Sequence, residues 1–183
     1  KKMDIYLCRK TILYNNMNGV KIYEDGLEEY SMTQVLFSNF VMALWIVLGS
    51  IACWFLHPIA MLFYLAFAVV MIYFVLRKLV CTNCYYYGKL CSIGWGKLSA
   101  MLFKKGDIER FSISIGIKIA PAVYGLLSLI PIVAITISII MKFDFIKIGA
   151  LLLLLLISSY SGAISRKKAC MNCKMRLICP GSA

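Results

Sequence analysis

Hydrophobic residues along the chain are gathered into four long blocks that charged residues hardly interrupt. The blocks cover residues 35–56, 59–76, 119–141 and 145–164, and the one charged side chain inside them is Lys147, near the start of the last block. About 20 apolar residues cross the hydrocarbon core of a bilayer as a helix. A helix in water would instead keep a polar face. The pattern therefore predicts an all-α integral membrane protein with four transmembrane helices.

The connections between the blocks predict how these helices are paired. His57-Pro58 separates the first two blocks, and Lys142-Phe143-Asp144 separates the last two. Connections this short join antiparallel neighbours, so we expect two hairpins whose outer ends share one side of the membrane. The chain is thus divided into a polar N-terminal segment with a short β-hairpin, a transmembrane hairpin, a cysteine-containing loop, a second transmembrane hairpin and a cysteine-containing tail: residues 1–34, 35–76, 77–118, 119–164 and 165–183.

The distribution of charge indicates which side that is. Of the 20 Lys and Arg residues, all but Lys142 and Lys147 lie on the side of the two termini. Because positive residues are retained in the cytoplasm, the sequence predicts a multi-pass protein of the cell membrane with both termini cytoplasmic. The first apolar block begins too far from Lys1 for a secretory signal. The net charge of +12 is explained by this topology and by attraction to the lipid bilayer, so we expect no nucleic acid partner.

Two similar cysteine motifs follow the second and the fourth apolar blocks, each directly after basic residues. They read C-x2-C-x6-C and C-x2-C-x5-C, which we interpret as a weak internal repeat. A C-x-x-C turn brings two sulfurs to one tetrahedral ion, and a third cysteine can fold back to it. Stable disulfides are rare in the cytoplasm. The sequence therefore predicts a metal centre of six cysteines on the cytoplasmic face: Cys81, Cys84, Cys91, Cys170, Cys173 and Cys179.

Each motif offers three ligands and lacks a fourth, which leaves three solutions open. Six thiolates can hold two zinc ions if two sulfurs bridge, and this spacing resembles the binuclear zinc cluster of fungal transcription factors, without its DNA-binding function. An iron–sulfur cluster can instead take Cys8 or an outside ligand as the fourth. The third solution is dithiol chemistry between the C-x-x-C cysteines, with Cys91 or Cys179 resolving. In each case we expect the neighbouring Lys and Arg residues to lower the thiol pKa values.

The function hypotheses follow from these solutions. The first hypothesis is a redox or electron-transfer subunit, or a subunit in which the metal clamps the loop to the tail. Its partners would be other membrane or redox protein subunits. The second is a membrane thiol–disulfide oxidoreductase. Four helices with C-x-x-C resemble the disulfide-forming quinone oxidoreductases and the vitamin K epoxide reductase family, whose reactive cysteines lie near the oxidising side, opposite to the side predicted here. The third is a structural scaffold of a membrane complex.

Other features narrow the range of functions. No Asp, Glu or Arg lies inside an apolar block, which argues against a proton relay or a voltage sensor. The single His57 excludes a haem held by paired histidines. Helical spacing of Trp95, Leu98, Met101 and Leu102 predicts a short interfacial helix with its Trp at the membrane boundary. We interpret the acidic residues around Glu28 as local charge balance and Tyr85-Tyr86-Tyr87 as interfacial anchors.

Overall fold

The computed structural model describes residues 16–17 and 20–180. Two-residue strands, Asn16–Met17 and Val20–Lys21, pair antiparallel, with Asn16 opposite Lys21. Residues 11–14, which belong to the predicted hairpin, lie outside the described residues. The rest of the described chain is helical or irregular. Its α-helices are α1 Met32–Trp54, α2 Pro58–Val69, α3 Leu76–Leu79, α4 Trp95–Leu102, α5 Ile115–Met141, α6 Phe145–Ser159 and α7 Arg166–Met171.

Four helical stretches are long and apolar enough to cross a membrane. They are Met32–Trp54, Pro58–Asn83, Ile115–Met141 and Phe145–Met171. This confirms the prediction of four helices that are long and apolar enough to span a membrane, and it indicates a multi-pass membrane protein. The second and fourth stretches continue beyond their apolar blocks, so Arg77, Cys81 and Cys170 lie on helical ends rather than in loops.

The same order of elements occurs twice along the chain. In each half a long helix is followed by a short turn, a second helix, a six-residue π-helical segment, a short α-helix and a 3-10 turn in or beside the C-x-x-C cysteines. The π-helical segments are Val70–Val75 and Tyr160–Ser165. Such segments are rare in proteins, and those that occur are often found at functional sites. Both of them lie directly before the basic residues that precede the cysteines.

Side chains cap the start of each long helix, where the first backbone N–H groups have no partner within the helix. The capping residues are all of types that favour this position or can accept a hydrogen bond there. Ser31 is the N-cap of α1. In each cap a side-chain atom accepts a hydrogen bond from a backbone N–H of the first turn. The acceptors and donors are Ser31 Oγ and Gln34 N (3.4 Å), His57 Nδ1 and Ile59 N (3.2 Å), Ser114 Oγ and Gly116 N (3.2 Å), and Asp144 Oδ1 and Ile146 N (3.0 Å).

The proline in the middle of α5 is compensated by a neighbouring helix. Pro131 has no N–H, so the carbonyl of Leu127 loses its helical donor. The hydroxyl of the buried Tyr64 in α2 donates to Leu127 O at 3.1 Å. Gly49 in α1 makes room for this hydroxyl, since a Cβ there would lie 2.3 Å from Tyr64 Oη. Ser128, which follows Leu127, donates to Tyr124 O instead.

The turns opposite the cysteine motifs are joined by polar contacts. Ser138 Oγ donates to Phe55 O at 2.7 Å, which ties the end of α5 to the end of α1. Lys147 Nζ donates to the carbonyls of Ser138 (2.9 Å) and Lys142 (3.0 Å). A cation at a helix C-terminus is favourable there. Lys147 is thus buried against α5.

Candidate functional site

The segment before α1 lies between the loop and the tail and joins them. Tyr23 N donates to Lys174 O and Leu27 N to Asn172 O, each at 2.9 Å. Tyr30 N donates to Leu90 O in the loop, also at 2.9 Å. These backbone contacts link positions that are more than fifty residues apart in sequence. The N-terminal segment is therefore part of the face that carries the cysteines.

Tyr86 is the centre of this junction. Its side chain is buried, its hydroxyl donates to Leu27 O at 2.6 Å, and it accepts from Lys174 N at 3.2 Å. Its ring lies 5.7 Å from that of the buried Tyr30, whose hydroxyl donates to Ala169 O at 2.8 Å. One tyrosine thus contacts the N-terminal segment and the tail from its place in the loop. We had interpreted it as an interfacial anchor, but it is a packing residue.

The cysteines of the two motifs are brought to this same face. Cys84 and Cys91 from the loop and Cys173 from the tail pack against the small cluster of Tyr30, Val35 and Tyr86. Cys81 and Cys91 also pack against the main helical core. Cys173 lies within electrostatic range of Cys91 and of the two other predicted ligands of the tail, Cys170 and Cys179.

Helix α4 fixes the position of Cys91. The N–H of Trp95, at the first turn of α4, donates to Cys91 Sγ at 3.2 Å. Gly96 allows the helix to lie directly on the loop backbone, because a Cβ at that position would lie 1.8 Å from Tyr86 O. Trp95 itself is buried, so its ring packs inside the protein.

The structure does not group these thiols as a finished metal site. Among residues 16–17 and 20–180, no three Cys, His, Asp or Glu side chains are arranged to hold a metal ion. Cys8, the fourth ligand considered for an iron–sulfur cluster, lies outside the described residues. Cys53, in α1, is buried in the helical core. The thiols of the two motifs thus share a face, and ligation would require their side chains to turn toward one another.

Burial governs the acidity of the thiols outside the membrane-spanning helices. Loss of hydration raises the pKa of Cys84 well above its usual value. It also raises the pKa of Cys173 to about 11. Removing a thiolate from water is unfavourable, and here this exceeds the opposing effect of a backbone hydrogen bond, from Tyr86 to Cys84 and from Met175 to Cys173. The expectation that basic residues lower these pKa values is therefore wrong for both cysteines.

An acidic residue that we had attributed to local charge balance connects the three segments of the face. Glu28 forms ion pairs with Lys89 of the loop, at 3.2 Å, and with Lys174 of the tail. It also accepts from the hydroxyl of Tyr85, over whose ring Lys89 Nζ lies 4.4 Å from the centroid. These contacts lower the pKa of Glu28 from 4.5 to about 2, and the contact with Lys174 has the largest effect. The sequence signal that could have indicated this role of Glu28 was an acidic residue in a chain with a net charge of +12.

The lowered pKa of Glu28 predicts how the junction responds to acid. A carboxylate with a depressed pKa contributes fully above pH 4.5, and its contribution is lost as the pH falls toward about 2. We expect Glu28→Gln to increase hydrogen exchange modestly in residues 22–30 above pH 4.5, and to match the wild type at about pH 2. Because Glu28 is exposed, the increase should be small and should shrink with added salt. Exchange measured by mass spectrometry at matched pH checks this, with Glu109→Gln as the control; an equal difference at both pH values would contradict it.

Comparison with known proteins identifies no relative. The chain matches no family model, no curated protein and no solved structure. Its class is therefore defined by its own residues: a multi-pass membrane protein with four apolar helices, on one face of which an N-terminal segment, a loop and a tail meet beside Cys84, Cys91 and Cys173.

Proposed function

We propose that this face holds a metal–thiolate centre that clamps the loop to the tail in a small polytopic membrane protein. The metal is zinc or iron in an iron–sulfur cluster, and the protein acts as a redox, electron-transfer or metal-clamped subunit alongside other membrane or redox proteins. The ligands are drawn from both arms: Cys81, Cys84, Cys91, Cys170, Cys173 and Cys179.

One observation carries this proposal. Cys84, Cys91 and Cys173 come from two motifs separated by two membrane-spanning helices, yet they pack against one cluster of three residues. Incidental thiols from distant parts of a chain have no reason to converge on the side of the protein where basic residues are also concentrated. Several thiolates around one ion carry net negative charge, which the nearby Lys and Arg residues would offset.

The donor chemistry fits both candidate metals. Cysteine sulfur is the usual ligand of structural zinc sites and of iron–sulfur clusters. The half-buried Cys84 lines an open cleft of about 800 Å³, which offers the ion an entry path. The raised pKa values of Cys84 and Cys173 weigh against the thiol–disulfide alternative, because a thiolate is the nucleophile in exchange reactions. A coordinated metal, by contrast, deprotonates its thiol ligands outright.

The proposal includes a topology of two hairpins with both termini, the loop and the tail in the cytoplasm. The excess of basic residues at the outer ends of the hairpins supports it. Exposed apolar side chains near the loop support contact with the bilayer: Met101 is 81% exposed and Ile115 68%. The exposed Lys97 in α4, and Lys104 and Lys105 just after it, suit anionic headgroups, so no nucleic acid partner is needed.

Single cysteines introduced at the two ends of the bundle test this topology. Lys104→Cys places an exposed thiol in the loop, and Phe143→Cys places one in the turn between α5 and α6. We expect a membrane-impermeant thiol reagent added to intact cells to label Phe143→Cys strongly. Lys104→Cys should be labelled only after permeabilisation. The reverse pattern would place the cysteine face outside the cell and would favour the disulfide-forming alternative.

Anaerobic purification followed by elemental analysis tests the metal centre itself. Visible absorbance with iron and sulfide indicates an iron–sulfur cluster, and zinc without colour indicates a clamp. Metal-free protein whose cysteines form reversible disulfides would refute the proposal and favour the oxidoreductase. A scaffold without a metal would show neither metal nor reversible disulfides.

A further inference from the structure

A buried arginine lies at the base of the cysteine face. Arg77 is the second residue of α3, which begins directly after the π-helical segment Val70–Val75. It is 1% exposed. Its Cζ lies 4.6 Å from the centroid of the Tyr73 ring and 4.3 Å from that of Trp95. The guanidinium therefore contacts two neighbouring aromatic rings, whose centroids are 6.2 Å apart and whose faces attract a cation. The rings do not accept hydrogen bonds from its Nε and Nη1 atoms, which have no acceptor within the described chain.

Those N–H groups belong to a set of buried donors that lack acceptors. Nε and Nη1 of Arg77, Nε1 of Trp95 and Oγ of Ser99 are buried and have no hydrogen-bond partner within the described chain. All of these atoms can donate, and an arginine cannot lose its charge in a protein. A buried cation without an anion is strongly unfavourable. Among the described residues Arg77 also forms no ion pair with an Asp or Glu. The arrangement lacks a negative charge.

Two thiols are placed to supply that charge. Cys81, four residues after Arg77, and Cys91 both lie within electrostatic range of the guanidinium. Cys91 already accepts a hydrogen bond from the N–H of Trp95 at 3.2 Å. Neutral thiols would do little for Arg77, whereas thiolates bound to a metal carry the full negative charge. Four thiolates around one zinc ion leave a net charge of about −2, which a fixed cation would partly neutralise.

We propose that Arg77 is the buried counter-ion of the metal-bound thiolates of Cys81 and Cys91. This inference rests on the proposed metal centre and specifies a positioning residue for it. Arg77 does not ligate the metal. It stabilises the charged state of two ligands and fixes the base of the loop against α4. The corresponding Arg166, four residues before Cys170, is exposed, so the two arms of the centre are electrostatically unequal.

Metal binding by arginine variants tests this role. Metal-free protein is titrated with Zn²⁺ against a chromophoric chelator, and with Co²⁺ to follow thiolate-to-cobalt absorbance. We expect Arg77→Met to weaken zinc binding about 10–100-fold, the range found when residues supporting a metal ligand are replaced. Arg77→Lys keeps the charge and should lose less. Arg110→Met is the matched control, because its side chain is 75% exposed, and it should bind like the wild type.

Thermal unfolding of the metal-free variants separates this role from a merely structural one. Removing an unpaired buried cation should leave metal-free Arg77→Met as stable as the wild type, or more stable. Wild-type zinc affinity in Arg77→Met, whether or not its metal-free form is destabilised, would overturn the inference and leave the metal centre standing. A wild-type protein that binds neither Zn²⁺ nor Co²⁺ would overturn the proposed function and this inference with it.

Discussion

Replacing Cys84 with serine is expected to remove most of the bound metal, and replacing Cys173 is expected to do the same. The two residues come from different arms but pack against the same three-residue cluster. If both ligate one centre, the double variant should lose little more than either single variant, because residues that act on a shared partner are strongly non-additive. Elemental analysis of the three purified variants measures this directly.

The matched control for these variants is Cys53→Ala. Cys53 is buried in the helical core and is not a predicted ligand, so its replacement should leave the metal content unchanged. Retention of half the metal in each single variant, and none in the double variant, would show two independent sites. Full retention in all three would exclude these thiols as ligands.

Replacing Tyr86 with alanine is expected to release the tail from the loop. Removal of a large buried aromatic side chain costs about 3–5 kcal/mol in well-packed cores. Tyr86→Phe should cost about 1–3 kcal/mol, since it leaves Leu27 O and Lys174 N without their hydroxyl partner. Both variants should be cleaved faster by trypsin at Lys168 and Lys174, the alanine variant more so.

Tyr87→Phe is the control for this prediction. The hydroxyl of Tyr87 donates to Phe103 O at 2.8 Å, a contact that lies within the loop. Its loss should leave cleavage in the tail unchanged. If Tyr86→Ala and Tyr87→Phe are cleaved alike, the tail is held by something other than Tyr86.

Composition was sufficient to predict the four membrane-spanning helices, because an uncharged run of this length has few alternatives to a helix in lipid. Their ends were predicted less well. The basic residues after Leu76 indicated the membrane surface, but the helix continues to Asn83 and Arg77 is buried within it. The π-helical segments were not predicted either, since they depend on how each helix packs rather than on residue type.

The cysteine face was predicted only in part. The repeated C-x-x-C spacing identified the thiols, and the structure brings Cys84, Cys91 and Cys173 together. The role of the N-terminal segment was missed because Tyr23, Leu27 and Tyr30 act through contacts with residues far along the chain. Such contacts leave no periodicity in sequence.

X-ray absorption at the edge of the bound metal tests the central claim most directly. The purified full-length protein should show sulfur neighbours as its first shell, at about 2.3 Å if the metal is zinc. Cys84→Ser and Cys173→Ser should each show less sulfur around any metal that remains. A first shell of oxygen or nitrogen alone, or a wild-type protein that carries no metal after anaerobic purification, would contradict a thiolate centre shared by the loop and the tail.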